Sequence, residues 1–215
     1  MSKIFVAPAI AFLLASPGLA QTAGAADTSF TGPRAELFGG YEHTDSHYRG
    51  GVGAPITGKH GQGAAVGGVE LGYDVPLGDR FVAGPLASYS INTTKKGCPA
   101  GATQCVDPTM DWSIGGRVGA KVGDRALIYG KGAYVETQSR AKLAAAGGTT
   151  TTSRDWHGGW RAGAGVEYAM SPRTYVKAEY DYTKTNRFDL APQGFANTSL
   201  RQDRQALVAG FGMRF

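Results

Sequence analysis

GWRAGAGVEYAMSPRTYVKAEYDY, residues Gly159 to Tyr182, is the stretch whose reading decides the fold. Alternate residues of its first half, Trp160, Ala162, Ala164, Val166, Tyr168 and Met170, carry no charge. Neither do Val176, Ala178, Tyr180 and Tyr182 of its second half. The intervening positions hold Arg161 and Glu167, then Lys177, Glu179 and Asp181. Strict two-residue alternation describes a β-strand whose two faces meet different surroundings. Ser171-Pro172-Arg173 supplies a turn between the halves, because proline presets φ for a turn position. The strands are long and end in aromatic residues. This fits a transmembrane hairpin with its apolar face toward lipid and its polar face toward a lumen.

The same period runs outward in both directions. Strands are expected at about Arg34 to His43, Gln62 to Val75, Phe81 to Ile91, Asp111 to Val122, Ala126 to Ser139, the hairpin itself, and Arg201 to Phe215. Tight turns at Pro76 to Arg80 and Gly123-Asp124-Arg125 alternate with long polar segments. These are Thr44 to Gly61, Asn92 to Met110, Arg140 to Asp155 and Asn186 to Leu200. Short turns on one side and long loops on the other are the asymmetry of bacterial outer-membrane barrels. The expectation is therefore all-β: an eight-stranded antiparallel transmembrane β-barrel with short periplasmic turns and long extracellular loops. Register is forced, since a one-residue slip sends every inward charge to the lipid face. Each Lys or Arg near the midplane would then cost roughly 2–4 kcal/mol.

Composition agrees. Thirty-three glycines among 215 residues exceed ordinary usage, and 18% of residues are charged. Half of each barrel strand is polar, so hydropathy averages out. The net charge of +5 is scattered, which argues against nucleic acid as a partner. At the N-terminus, Met1-Ser2-Lys3, an apolar run from Ile4 to Ala15, and the small residues around Ala20 read as a secretory signal peptide over 1–20. Cleavage after Ala25 or Ala26 is the alternative to Ala20. Residues 21–32 then form a short polar periplasmic lead without assignable structure, and 33–215 the barrel.

Three segments carry a family resemblance: DWSIGGRVGAKVGDRALIYGKGA (Asp111 to Ala133), the opening hairpin, and LVAGFGMRF (Leu207 to Phe215). They resemble the small eight-stranded outer-membrane barrels of the OmpA-like and opacity-type group, nearest to the porin-family surface antigens of alphaproteobacteria. The resemblance implies the outer membrane of a Gram-negative bacterium, with lipid and lipopolysaccharide around the barrel and host or surface ligands met through the loops. It also implies that Leu207, Ala209, Phe211, Met213 and Phe215 form a signal for the outer-membrane assembly machinery. Met213 stands where an aromatic residue is usual. No further domain is expected after Phe215.

Chemistry is sparse. The polar faces bring Glu36, Glu70, Asp74, Glu167, Glu179 and Asp181 against Arg117, Lys121, Lys131, Arg161, Lys177 and Arg204. An eight-stranded barrel is just wide enough for side chains to fill. The expectation is a lumen closed by a polar network that includes Glu70, Arg117, Lys131, Arg161, Glu167, Lys177 and Glu179. A narrow ion channel is the competing reading. Cys98 and Cys105 flank six residues in an exported loop and are expected to pair as a disulfide. His43, His47, His60 and His157 fall in or beside predicted loops, and no helix is suggested that would bring His43 and His47 to one face. No cofactor or metal is expected, although haem or metal capture by the loop histidines is an alternative. Ser153, Asp155 and His157 alternate on one strand face, but lipid A chemistry would need them at the lipid-facing rim, so no catalytic residue is assigned. The function expected is non-catalytic: envelope integrity, and adhesion or antigenic contact through the loops.

Overall fold

A computed structural model describes residues 30–50, 56–93, 104–144, 150–186, 188–189 and 198–215; toward the outer strand ends it describes the backbone alone. The strands are β1 (Gly32–Gly50), β2 (Ile56–Leu77), β3 (Phe81–Thr93), β4 (Gln104–Val122), β5 (Ala126–Ala144), β6 (Thr150–Ala169), β7 (Thr174–Thr185), β8 (Phe188–Asp189) and β9 (Thr198–Arg214). Each long strand pairs with its neighbour in the chain, and β1 pairs with β9. The sheet therefore closes into an eight-stranded antiparallel barrel. The two-residue β8 continues the line of β7 along β9. The register moves by one residue between Lys184↔Asp203 and Phe188↔Leu200. At that shift the Thr185 hydroxyl accepts from the Gln202 amide (3.0 Å) and donates to the Gln202 carbonyl (3.1 Å).

The short-turn end is compact for reasons visible in the chain. Gly78 and Gly123 each begin a Gly-Asp-Arg turn and sit at φ +73° and +63°. A side chain there would meet open space, so the backbone angle is what asks for glycine. In the third turn the Ser171 hydroxyl accepts from the amides of Arg173 (3.2 Å) and Thr174 (3.0 Å). Both ends of the described chain lie here, with the Phe215 amide bonded to the Pro33 carbonyl at 3.0 Å. The lead, read as unassignable from sequence, is ordered at its last residues. Gly32, at φ +97°, turns the chain, and Phe30 is fully buried against Val82, Leu127 and Ala169.

The opposite end corrects the sequence reading. The segment taken as a loop from Thr44 to Gly61 is strand as far as Gly50 and again from Ile56. Likewise β4 begins at Gln104, and β5 and β6 run to Ala144 and from Thr150. The reason is the ladder: polar residues extend a strand as readily as apolar ones where main-chain hydrogen bonds remain available and water covers both faces. A tilted strand crosses a bilayer in about 9–11 residues. At 19 to 22 residues, β1, β2, β4, β5 and β6 are roughly twice that, so the barrel wall continues beyond the membrane.

Candidate functional site

The outer wall has a defined apolar belt. Leu37, Tyr41, Ile114, Val118, Ile128 and Leu207 are all more than half exposed, the reverse of a water-soluble fold. Tyr73, Phe81, Tyr168 and Phe215 border the belt near the short turns, and Tyr41, Tyr89, Trp112, Tyr134 and Trp160 border it above. Trp112 meets Tyr134 edge-on at 6.3 Å, and Trp160 lies 5.6 Å from Tyr182. Such girdles mark the two membrane interfaces. Beyond the upper girdle the outward residues turn polar: His43, Asp45 and His47 follow Tyr41 on β1, and Gln205, Asp203 and Arg201 precede Leu207 on β9.

Inside, charge fills the barrel. Among the described residues, seven buried cations (Arg34, Arg117, Lys131, Arg161, Lys177, Arg204 and Arg214) face eight buried carboxylates (Glu36, Glu42, Glu70, Asp74, Asp111, Glu167, Glu179 and Asp181). Near the short turns, Arg117 grips Asp74 with two hydrogen bonds (2.9 and 2.6 Å) and also reaches Glu167. Arg214 binds the same two carboxylates, Asp74 at 2.7 Å and Glu167 at 2.5 Å, and stacks over Tyr175 at 4.8 Å. Arg34 spans Glu36 (3.2 Å), Glu70 (2.7 Å) and Asp74 (3.4 Å). Bidentate guanidinium forks suit this duty because their donors are fixed in a plane.

At mid-barrel, Lys131 contacts three carboxylates: Glu179 (2.7 Å), Asp181 (3.2 Å) and Glu70 (3.5 Å). Gly163 makes room for this, since a Cβ there would lie 2.1 Å from Asp181 Oδ1 and 2.9 Å from Lys131 Cε. Lys177 pairs with Glu36 and with Glu179 (3.3 Å), and the Tyr129 and Tyr175 hydroxyls donate to Glu179 (2.7 Å) and Glu36 (2.8 Å). Higher still, Asp111 accepts from Arg161 (3.0 Å), Arg204 (2.8 Å) and Ser90 (2.7 Å), while Thr183 and Thr137 each accept one further guanidinium bond at 2.9 Å, from Arg161 and Arg204 respectively.

The seven lumen residues singled out in the sequence are all buried; Glu70, Arg117, Lys131, Glu167, Lys177 and Glu179 share one connected set of ion pairs, and Arg161 belongs to a second around Asp111. Alternation puts Glu42 on the face of Glu36, but Arg34, Asp111 and Arg214 were missed as members, although each lies an even number of residues from an inward charge or an odd number from an outward apolar one. Lys121 shares the inner face and lies half-exposed at the short-turn rim. Leu207, Ala209, Phe211, Met213 and Phe215 all face outward. His157 is buried on the inner face, away from any lipid-facing rim. His43 and His47 need no helix to share a face: β1 runs past both and presents them outward. Cys98 lies outside the described residues, as does the side chain of Cys105, and so do the signal peptide and the side chains of His60, Ser153 and Asp155.

Comparison with known proteins follows this geometry. The chain is 30% identical over 136 residues to the 31 kDa outer-membrane immunogenic proteins of Brucella melitensis and Brucella suis. The match covers 60% of this chain and 57% of each relative, so it spans little more than half the relatives' length. Among solved structures, the outer membrane protease OmpT of Escherichia coli is similar at a TM-score of 0.53 and 11% identity, over 86% of this chain and 97% of that one. The Neisserial surface protein A gives 0.46 and 17%, over 83% and 97%. These likenesses are ones of fold. Residues 11–215 match the outer membrane protein beta-barrel domain, and the chain belongs to that family, as a protein of the Gram-negative outer membrane.

Proposed function

We propose that this protein is a non-catalytic barrel that contributes to envelope integrity and presents its outer hairpins for adhesion or antigenic contact. The observation that carries the reading is the pairing of a charge-filled lumen with strands about twice the length the membrane needs. A lumen filled by one ion-pair network around Arg34 and a second around Arg204 leaves the working surface outside. The Brucella relatives are described as immunogenic, which fits an exposed surface. The partners on this reading are outer-membrane lipid and lipopolysaccharide around the belt, the assembly machinery at Leu207 to Phe215, and host or surface ligands at the outer ends. A disulfide between Cys98 and Cys105 would stiffen one of those ends, and the first 20 residues would direct export.

A narrow channel is the second reading, favoured by one observation. Lys131 is a single flexible ammonium shared among three carboxylates, and an ammonium exchanges partners more easily than a guanidinium fork. Conductance of the refolded protein in a planar bilayer separates the two. Silence from protein of proven fold is expected. Reproducible unit steps altered by Glu70→Gln or Arg117→Gln would make this a channel. Binding of the refolded barrel to host cells, compared with a variant whose outer hairpins are shortened to the upper girdle, tests the adhesive role; equal binding would remove it.

A further inference from the structure

The lipid-facing side of β5 and β6 carries a block of small residues that the barrel's own packing does not ask for. Gly132 is opposite Gly116 on β4 and Ala162 on β6, and Gly130 is opposite Ala164. Gly130, Gly132, Ala162 and Ala164 follow Tyr134 and Trp160 of the upper girdle toward the membrane interior. A Cβ on Gly132 would meet open space, and one on Gly130 would touch only the Gly163 carbonyl, at 3.8 Å. Neither glycine has a positive φ, and the β5–β6 register runs without a shift. A strand glycine weakens its strand and otherwise marks a bulge, a bend or the close approach of a ligand. Here it leaves a shallow trough, with Tyr134 and Trp160 above and Ile128 and Val166 below.

Above this trough the same two strands are basic. Arg140 and Arg154 are opposite each other in the ladder, and Lys142 is at the next outward position of β5. Like charges in opposed positions destabilise a sheet unless an anion lies between them. Lys184 on β7 is opposite Trp160, at the height of the girdle, and among the described residues it has no ion-pair partner. Its ladder neighbour on β9, Asp203, is engaged by Arg201 (3.1 Å) and His47 (3.4 Å). Above the girdle β2, β3 and β4 contribute one cation among the described residues, Lys59, so the basic ground is one-sided. The cations and carboxylates of the lumen nearly cancel, so the chain's net charge of +5 lies outside it.

We infer that the outer face of β5 and β6 seats one lipopolysaccharide molecule, with an acyl chain in the trough and its anionic groups on Lys184, Arg140 and Arg154. The inference rests on the reading that lipopolysaccharide surrounds the belt, and gives that lipid a place. Lipopolysaccharide is an amphiphile with acidic groups at two levels, on its glucosamine disaccharide and on its inner core sugars. Six residues of strand span about 20 Å at ~3.3 Å each, less with tilt, which separates Lys184 from the two arginines by a comparable step. Guanidinium forks match phosphate and carboxylate oxygens, and the lysine acts as a point charge. A soluble sulfated polysaccharide would meet the cations but leave the trough empty. A glycerophospholipid would fill the trough but leave the arginines unmet. Two carboxylates compete: Asp107 is opposite Arg140 on β4, and Glu136, held by the Tyr134 hydroxyl at 3.3 Å, lies between trough and arginines.

The test uses tag-free, full-length protein refolded in detergent. Rough-type lipopolysaccharide, lipid A alone, phosphatidylglycerol and heparin are the probes, read by native mass spectrometry and competitive titration. One lipopolysaccharide retained per barrel, in preference to phosphatidylglycerol and heparin, is expected. Arg140→Gln/Arg154→Gln should weaken it roughly tenfold and lipid A alone far less, whereas Lys184→Gln should weaken both. Gly132→Leu should weaken both several-fold without lowering thermal stability, because its side chain enters open space. Arg80→Gln/Arg173→Gln, at the short turns, should change nothing. The heat-dependent shift in gel mobility shows that each variant is folded. No retention by the wild-type barrel, unchanged affinity in the Arg140/Arg154 double variant or in Gly132→Leu, or an equal loss in the short-turn variant would overturn the proposal. So would heparin binding as tight as that of lipopolysaccharide, which would assign the cations to a sulfated polysaccharide. Gly132→Leu keeps the outer hairpins intact, so its binding to host cells should equal wild type, and the adhesive role and the lipid seat can fail separately.

Discussion

The two halves of the lumen are built from the same alternating strands but differ in how they are closed. Toward the short turns, Arg34, Arg117 and Arg214 share Asp74, two of them share Glu167, and Phe30 caps the end beneath them. Toward the outer end, Asp111 is the one carboxylate among the described residues held at short range by two guanidinium groups. The surrounding inner face is hydroxyl-bearing: Ser88, Ser90, Ser113, Thr137, Thr183 and Thr185. The lower half is thus a cross-linked seal and the upper half a polar cup. A buried charge needs several partners where water is absent, whereas a hydroxyl costs little where water can enter.

This contrast can be broken in measurable ways, each read as urea unfolding from lipid vesicles. The largest effect is expected from Arg117→Ala, which strips three charge-assisted bonds from Asp74 and Glu167 and leaves both carboxylates under-compensated. Removing one partner of a buried pair costs about 3–5 kcal/mol. An effect below 1 kcal/mol would mean that the lower half is as wet as the upper. Phe30→Ala should cost about 3 kcal/mol as the apolar cap is lost; an unchanged midpoint would show that the cap is dispensable. Leu37→Arg, on the lipid face directly beside the inner Glu36, should cost about 2 kcal/mol if that residue lies near the midplane. Ser90→Ala, which removes one 2.7 Å bond to Asp111 while both arginines remain, should cost only about 1 kcal/mol. A loss as large as that of Arg117→Ala would erase the distinction between the halves.

Much of this was legible beforehand in particular residues. Lys131 had to point inward with Lys177 and Glu179, because the other choice sends it into lipid, and the strand period carries that constraint to every neighbour. Val118, Tyr180 and Phe211 followed on the outward side. Arg214 was overlooked although its neighbours Met213 and Phe215 had been assigned outward, which leaves it no other face. The strand ends were not legible. From Thr44 on β1 the residues are mostly polar at both alternating positions, and Gln104 to Met110 on β4 mixes polar and apolar residues with no two-residue period, so alternation gives no strand signal there.

Membership of the barrel wall, its register and its lipid face are therefore properties of the sequence alone, since period two and the cost of charge in lipid act locally along each strand. Which carboxylate serves which cation is not. Asp74 meets Arg214 across 140 residues and Glu36 meets Tyr175 across 139, and only closure of β1 on β9 brings them together. The same closure sets Asp45 against Asp203, so both the seal within the barrel and this pairing on its outer wall are decided by the seam that completes the cylinder.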